Sequence, residues 1–562
     1  MDSTAPPLRT ALFAVAALAY LAGTALAAWA VIAACDGRLI SWLDDAYIHM
    51  AMARNLLEHG VYGVTPHGFT TSSSSPAWVI LLSVGYALLG VSEWLPFAVN
   101  AVATLVLLFC AASILTRPAD TIAGGELGPR WRMIDAPWPA ACAVVGMVAL
   151  VATVAPITLT LAAMEHVAHA ALMLYATDIL ARRLCGEEAE EMPTGASVHL
   201  PLLLLPLVRY ESLWLPVIAA ALAIGRRQWF AAIAMPAAAS VGVVAVGAWS
   251  CDAGWWFLPV SILAKTSLVP GAAADGGALY VAKFLLWYPF KRLLLNAPIL
   301  LAIMAMSATT LAVAVARDRD NARTAWFLAL AMFVGGAWTH ATFRQFGWGG
   351  RYEGYLLAMG CVFLPAALAR LRPDVRAFRS RPALMAGLPL LALLTGLVVH
   401  RTVVMHRGPG AAAATVWQRD FWPADFVAQH FGGGSVMAMN IGALSWISSP
   451  RLTDVLALGD REVAGLLAAG RLDNAALIDL ARRRGVTVAI LFDADYRRWV
   501  GAPPPFVRVA TGRPQAAPEN AFAFYATTPE RAAELARALQ TYVGERTTRV
   551  TLTVEPAWST RR

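Results

Sequence analysis

The chain has 562 residues, of which 58% are hydrophobic and 14% are charged, and its mean hydropathy is +0.58. A soluble domain carries about a quarter charged residues, so this composition excludes a soluble enzyme, and the 20 Trp exclude a disordered chain. The net charge of +8 comes from 44 Lys and Arg dispersed among 36 Asp and Glu, a balance too mild and too scattered for a nucleic-acid surface.

Apolar runs long enough to enter a bilayer follow one another along the first 400 residues. A helix needs about 20 apolar residues to cross the hydrocarbon core. Two of the runs, 198–209 and 212–225, are short for a full crossing and indicate tilted or broken helices. The sequence predicts about 11 transmembrane helices, at 10–34, 96–116, 138–157, 167–181, 198–209, 212–225, 229–248, 290–316, 325–341, 354–370 and 383–400.

A further apolar run, 76–91, decides the sidedness of everything after it. If this run stays at the outer face, the arginine groups of the later loops lie on the same side as the N-terminus. If it crosses, all of them lie outside. The positive-inside rule therefore predicts 11 spans, a cytoplasmic N-terminus and an outer C-terminus, with an outer loop over 35–95 and a second one near 249–289.

The composition becomes mixed polar and charged after residue 400. A helical pattern at 473–484 precedes the β-rich segment 486–492, and another helical pattern lies at 528–543. Alternating strands and helices predict a small α/β domain. The expected fold is an all-α polytopic membrane domain over 1–400 and a small extracytoplasmic α/β domain over 401–562.

Asp44 and Asp45 stand about ten residues after the first span. Adjacent carboxylates repel each other, so they need a cation or a hydrogen-bond donor nearby to stay ionised together. Oxygen ligands of this kind suit a divalent cation such as Mg²⁺, Mn²⁺ or Ca²⁺. The segment that follows has helical spacing and ends at Gly60, and it carries Tyr47 and His49. The alternative interpretation is a helix cap with a first-turn acid, worth about 1 kcal/mol to the helix.

Isolated charged residues stand at the predicted outer ends of several spans. Charges next to a bilayer core are costly, so they tend to be paired or functional, although snorkelling to the headgroups is an alternative. On the predicted topology they face the same side as the aspartate pair. These candidate residues are Glu165, Arg209, Glu211, Lys265, Arg344 and Arg351.

Carboxylates, cations and aromatic residues at one outer face suit the transfer of a sugar from a lipid phosphate. An acid can deprotonate an acceptor hydroxyl, and cations can neutralise the departing phosphate. A lipid-linked donor is expected because nucleotide sugars are not found outside the cell. The sequence contains no Walker A, GxGxxG, HExxH, GxSxG or CxxC motif that would favour another chemistry.

The stretch LDDAYIHMAMARNLLEHGVYGVTPHGFTTSSSSPAWVILL resembles the first outer loop of the GT-C superfamily of polyprenyl-phosphate-dependent membrane glycosyltransferases. The resemblance is to the terminal arabinofuranosyltransferases of mycobacterial cell-wall synthesis in particular. Similar patches follow in the same order along nearly the whole chain: AAMEH at 162–166, VRYES at 208–212, LPVSILAK at 258–265, GRYEGYL at 350–356 and NIGALSWISSPRLTDVLAL at 440–458.

The resemblance implies an inverting transfer at the outer face of the bacterial plasma (inner) membrane. It implies Asp44 as the catalytic base, with Asp45 as a partner that orients the acceptor or holds the divalent ion. It further implies a polyprenyl-phosphate sugar donor and a glycan, lipid or protein acceptor. Donor-phosphate contacts are expected from Lys265, Arg209, Arg344 and Arg351, and substrate contacts from Glu165, Glu211, Tyr47 and His49.

One departure from the family pattern bears on the substrate. Related sequences commonly have Tyr-Thr or Tyr-Ser before a Pro-Leu-Trp element, where this chain reads FTTSSSSPAW. Arabinofuranose is the expected sugar, and a hexose or aminoarabinose transferase is the alternative within the superfamily. From another class, a lipid-linked glycan transporter or flippase would use ionisable residues inside the bilayer, for which Asp178 is the main candidate.

Overall fold

The computed structural model describes residues 5–117, 137–186, 196–263, 281, 283–317, 324–371, 381–406, 408–544 and 549–558. Lys265 lies outside these residues. The helices of the first part are α1 (Ala5–Ala34), α2 (Asp45–His59), α3 (Pro76–Leu89), α4 (Leu95–Leu115), α5 (Pro137–Val154), α6 (Pro156–Leu161), α7 (His166–Cys185), α8 (Ala196–Val208), α9 (Trp214–Gly225), α10 (Trp229–Asp252), α11 (Val260–Leu263), α12 (Tyr288–Asn296), α13 (Pro298–Arg317), α14 (Ala325–Phe343), α15 (Gly354–Leu368) and α16 (Arg381–His406).

Six helical segments are long and apolar enough to cross a membrane, which indicates an integral membrane protein. They are Leu8–Ala34, Leu95–Leu115, Trp138–Leu161, Trp229–Asp252, Pro298–Ala316 and Ala325–Phe343. Shorter apolar helices lie at Pro76–Leu89, Val198–Val208, Tyr210–Gly225 and Gly354–Leu368. The count of 11 spans is therefore not confirmed by helix length and apolarity in the described residues.

Two predicted spans differ from the structure for physical reasons. The run 290–316 is broken at Ala297, because Pro298 has no backbone N–H to continue α12 and instead starts α13. The run 167–181 belongs to α7, which is buried on most of its surface, including Asp178 and His169. α7 also carries Arg182 and Arg183 in its last turn, and it is not among the six apolar segments.

Helix α3, the apolar run that decides the sidedness, has 14 residues and a length of about 21 Å, less than the thickness of the hydrocarbon core. Its C-terminal part contacts the region after residue 400, because the rings of Tyr86 and Trp446 lie 6.3 Å apart. Ser72, shortly before its N-terminus, lies beside Gly459 of that same region. The region after residue 400 therefore contacts the chain near both ends of α3.

The part after residue 408 is an α/β domain with a six-stranded sheet in the order β2-β1-β3-β5-β4-β6. β1 pairs in parallel with β2 and β3, and the remaining pairs are antiparallel. The strands are β1 (Ser435–Ala438), β2 (Arg451–Asp454), β3 (Val488–Leu491), β4 (Val507–Pro514), β5 (Phe522–Ala526) and β6 (Val550–Val554), and the helices are α17 (Pro409–Val416), α18 (Trp422–His430), α19 (Gly442–Ile447), α20 (Arg461–Ala468), α21 (Asn474–Arg483), α22 (Asp493–Val500) and α23 (Pro529–Gly544).

The strand and helix patterns predicted after residue 400 correspond to α21, β3 and α23. One hydrophobic core runs from this domain into the segment 35–95, and it includes Tyr47 and Met50 of α2 together with Phe421 and Trp446. Arg54 of α2 reinforces the contact by donating from Nη1 to the Trp446 carbonyl at 2.8 Å. The domain therefore packs directly on α2 and fixes the position of its first turn.

Candidate functional site

Charged residues from distant parts of the chain converge under the α/β domain, each at the end of a helix. Glu165 directly precedes α7, and Arg209 follows α8. Arg344 directly follows α14, and Arg351 lies in the loop before α15. The ends of α7, α8 and α14 and the loop before α15 therefore bring these side chains together. We call Asp45, Glu165, His166, Arg209, Glu211, Arg344, Arg351 and Tyr352 the polar cluster.

Arg209 is the centre of the polar cluster and is 6% exposed. Its Nη1 donates to Glu165 Oε1 at 2.6 Å and lies 3.0 Å from His166 Nδ1. Its Nε donates to Glu211, whose other oxygen lies 3.5 Å from Arg344 Nη2. Buried charges are stable only when they are paired in this way.

Arg351 connects the cluster to the first turn of α2. Its Nη2 donates to Asp45 Oδ2 at 2.8 Å, and its Nη1 lies 3.1 Å from Met164 Sδ. The Tyr352 ring lies between two guanidinium groups, with its centroid 5.1 Å from Arg351 and 5.7 Å from Arg209. The cluster is therefore continuous from Asp45 to Glu211.

Three buried atoms of the cluster have no hydrogen-bond partner among the described residues: Glu165 Oε2, His166 Nε2 and Arg351 Nε. Buried polar groups in proteins nearly always have partners, so such atoms mark a place where a ligand or water completes the bonding. A small cavity lined by Arg209, Glu211, Arg344 and Tyr352 lies in the same cluster. Sequence reasoning notes His166 beside Glu165 but assigns a site role only to Glu165, and it gives Tyr352 no role.

The glycine-rich loop before α15 holds Arg351 in place. Glu353 accepts from Gly347 N at 3.1 Å and from Arg401 Nη1 at 3.0 Å. Gly349 has φ +67° and lies against Trp42, where a Cβ would be 2.2 Å from the indole ring. Glu353 was not among the predicted site residues, although it stands in the same GRYEGY patch as Arg351.

Asp44 points away from the polar cluster. Its Oδ2 accepts from Gly442 N and its Oδ1 from Ala443 N, both at 2.8 Å, so the carboxylate caps α19 of the α/β domain. Consecutive residues at a helix start project about 100° apart, which is why Asp44 and Asp45 have different partners. In the described part of the chain, no group of three His, Cys, Asp or Glu is arranged to hold a metal ion.

Burial raises the pKa of Asp44, and so does the nearby carboxylate of Asp420, while the two backbone amides act in the opposite direction. Asp420 is itself held by Arg419 Nη2 at 2.8 Å and by Asn440 Nδ2 at 2.8 Å. Asp45 makes a smaller contribution of the same sign as Asp420. The net shift means that the folded protein binds a proton at Asp44 more tightly than the unfolded chain does.

Because the pKa of Asp44 is raised on folding, we expect the free energy of unfolding of the protein to fall as pH rises. The stabilisation is fully present below the unfolded pKa of about 3.9 and is lost as pH rises through the higher folded value. Thermal unfolding at pH 5, 6, 7 and 8 measures this slope, and Asp44→Asn should flatten it relative to wild type. An unchanged slope in Asp44→Asn would contradict the assignment.

The remaining predicted substrate contacts are buried near α2. The Tyr47 hydroxyl accepts from Ser41 N at 2.8 Å, and its ring packs edge-on against Phe421 at 4.7 Å. His49 is buried, with Ser73 Oγ 3.4 Å from its Nδ1. Tyr47 is therefore a packing residue of the domain contact in this structure.

Asp178, the residue that a transporter would use, lies beside Arg117. Arg117 Nη1 donates to Asp178 Oδ1 at 3.0 Å and Nη2 donates to Oδ2 at 2.5 Å. This two-point ion pair neutralises the carboxylate and favours a structural role for it.

No family model and no curated protein matches the chain. Among solved structures, the chain is similar to ArnT from Cupriavidus metallidurans. With undecaprenyl phosphate bound, that structure has 14% sequence identity and a TM-score of 0.47, and the match covers 92% of this chain and 98% of that one. The apo state of the same protein matches with 13% identity and a TM-score of 0.46 over the same shares.

Proposed function

We propose that this protein is a membrane glycosyltransferase of the GT-C type that transfers a sugar from a polyprenyl-phosphate donor to an acceptor at the outer face of the bacterial inner membrane. The observation that supports it is the buried polar cluster with three unpartnered atoms, Glu165 Oε2, His166 Nε2 and Arg351 Nε. These three side chains bring together a hydrogen-bond acceptor, a hydrogen-bond donor and a cation. Such groups can bind the hydroxyls of a sugar and the oxygens of a phosphate.

Asp45 is the proposed catalytic base, in place of Asp44. The Asp45 side chain is 35% exposed and is paired with Arg351. Both carboxylate oxygens of Asp44, in contrast, accept hydrogen bonds from backbone amides of the α/β domain. A neighbouring guanidinium favours the ionised carboxylate, which is the form that accepts a proton. Asp44 is then a positioning residue that fixes the start of α2.

In the proposed step, the acceptor oxygen attacks the anomeric carbon as its proton moves to Asp45. The bond from that carbon to the phosphate oxygen breaks on the opposite side, so the configuration inverts and the electron pair leaves with the lipid phosphate. No proton is needed on the leaving group if a guanidinium binds it. Arg351, whose Nε has no partner among the described residues, is the proposed phosphate ligand.

The charges of the cluster limit how much of the phosphate its arginines can neutralise. Arg209, Arg344 and Arg351 face three carboxylates, those of Asp45, Glu165 and Glu211. Neutralising a departing phosphate needs positive charge in excess of this balance. Lys265, outside the described residues, remains a proposed additional phosphate ligand and would supply that excess.

Arabinofuranose is the proposed sugar, and a hexose or aminoarabinose is the alternative. The test uses full-length protein in nanodiscs with synthetic decaprenyl-phosphoryl-arabinofuranose and an arabinan oligosaccharide, with mannose and aminoarabinose donors in parallel, each with and without added Mg²⁺ and Mn²⁺. We expect acceptor-dependent release of decaprenyl phosphate with one donor. Movement of a labelled lipid-linked sugar across vesicles that contain no acceptor, without release of lipid phosphate, would instead support a transporter.

A further inference from the structure

A second and larger cavity lies outside the polar cluster, between the outer loop and the α/β domain. It has a volume of about 800 Å³ and is open to solvent. Its walls come from the segment 65–70, from Trp255 after α10 and from the α/β domain around β2 and α20. We call it the arginine cleft, because Arg451, Arg461, Arg483 and Arg484 line it.

The arginine cleft carries more positive than negative charge. Arg483 and Arg484 both bind Glu462, and Arg484 also binds Asp460, so these arginines face carboxylates. Arg451 and Arg461 are exposed, and neither forms an ion pair with a carboxylate within the described residues. Two guanidinium groups are therefore available to an anionic ligand.

Local contacts position the residues that form the walls of the cleft. Arg461 reaches the loop after α10, where a Cβ on Gly254 would lie 3.0 Å from its Nη1. Asp460 accepts from the backbone N–H groups of Glu462 and Val463 at 3.0 and 3.2 Å, which fixes the start of α20. Trp255 adds an aromatic surface on which the apolar face of a sugar ring can pack. The cleft thus combines an aromatic wall with unmatched cations.

The cleft is also close to the polar cluster. Thr70 lines the cleft, and Ser74 lines the small cavity beside Arg209. Four residues span at most about 14 Å, so one extended molecule can reach both places. Segment 70–74 is buried, which makes it a firm wall between the two cavities.

We propose that the arginine cleft binds the acceptor, and that this acceptor is an anionic glycan whose carboxylate or phosphate groups contact Arg451 and Arg461. The inference rests on the proposed glycosyltransferase function and adds to it the chemical class of the acceptor.

The test measures binding without turnover. Full-length protein in phosphatidylcholine nanodiscs, which carry no net charge, is titrated with tetragalacturonate and with uncharged maltotetraose. We expect tetragalacturonate to bind more tightly than maltotetraose and to weaken as salt is added. The double variant Arg451→Gln/Arg461→Gln should weaken its binding about tenfold.

Arg482→Gln is the matched control. Arg482 lies on α21 next to two cleft arginines, its side chain is 80% exposed, and it does not line the cleft. Its replacement should leave tetragalacturonate binding unchanged. Absence of binding, equal binding of the two sugars, or equal loss in the control would overturn the inference. No donor is present, so failure of the transferase assignment would appear only in the release assay and would be distinguishable.

Discussion

Asp45→Asn is expected to lower kcat for sugar transfer by about 10²- to 10⁴-fold, the range typical of removing a general base. The amide keeps the size of the side chain but cannot accept the acceptor proton. Because the contact with Arg351 also weakens, KM for the donor should rise. Steady-state release of lipid phosphate from the nanodisc-embedded protein separates the two effects.

Two further variants show whether this loss is specific. Asp36→Asn removes another carboxylate near the start of α2, one that is 50% exposed and paired with Arg549, and should leave kcat unchanged. Asp44→Asn should lower stability more than kcat, because it weakens the cap on α19. If Asp45→Asn retains near-wild-type kcat while Asp44→Asn loses it, the base is Asp44, as the family resemblance implies.

Gly442→Ala is expected to cause a large loss of stability, about 1–3 kcal/mol or more. A Cβ at this position would lie 2.0 Å from the Asp44 carbonyl oxygen and 2.9 Å from its Cγ, so either the backbone before α2 or the start of α19 must move. Either movement breaks the bonds from Gly442 N and Ala443 N to Asp44. Thermal unfolding and the rate of limited proteolysis of the α/β domain measure the effect.

Gly465→Ala is the control for this prediction. Gly465 lies within α20 in the same domain, and nothing lies within 4 Å of the position of its Cβ. Alanine should there raise stability by about 0.5–1 kcal/mol, because it reduces the conformational freedom of the unfolded chain. A comparable loss of stability in both variants would show that the loss is not specific to Gly442, and would refute the assigned role of the Asp44 contact.

The acidic pair, the later charged residues and the α/β domain are all recognisable from the sequence, because each departs locally from an apolar background. The pairing of these residues is not recognisable. Asp45 binds Arg351, 306 positions away, and Asp44 binds Gly442, 398 positions away. Nothing in the residue pattern itself shows that the two aspartates have different partners. The packing of the α/β domain on α2 determines which partner each one has.

Residues missed by sequence reasoning have a common reason. Glu353 and Arg401 form a buried ion pair at 3.0 Å, but each stands beside an apolar run and has the pattern of a flanking charge. Tyr352 contacts two guanidinium groups, which no periodicity indicates. The glycines at 347, 349 and 350 were the available signal, because a loop with three φ values above +60° must be held by its neighbours.

The continuous core between α2 and the α/β domain has a practical consequence for expression. The change of composition after residue 400 suggests a boundary at which a fragment could be expressed separately. A fragment that starts at residue 409 would, however, expose the rings of Phe421 and Trp446, which pack on Tyr47 and Tyr86 in the full chain. Such a fragment would tend to aggregate rather than behave as an independent module. The membrane part and the α/β domain of this protein therefore have to be produced and purified together.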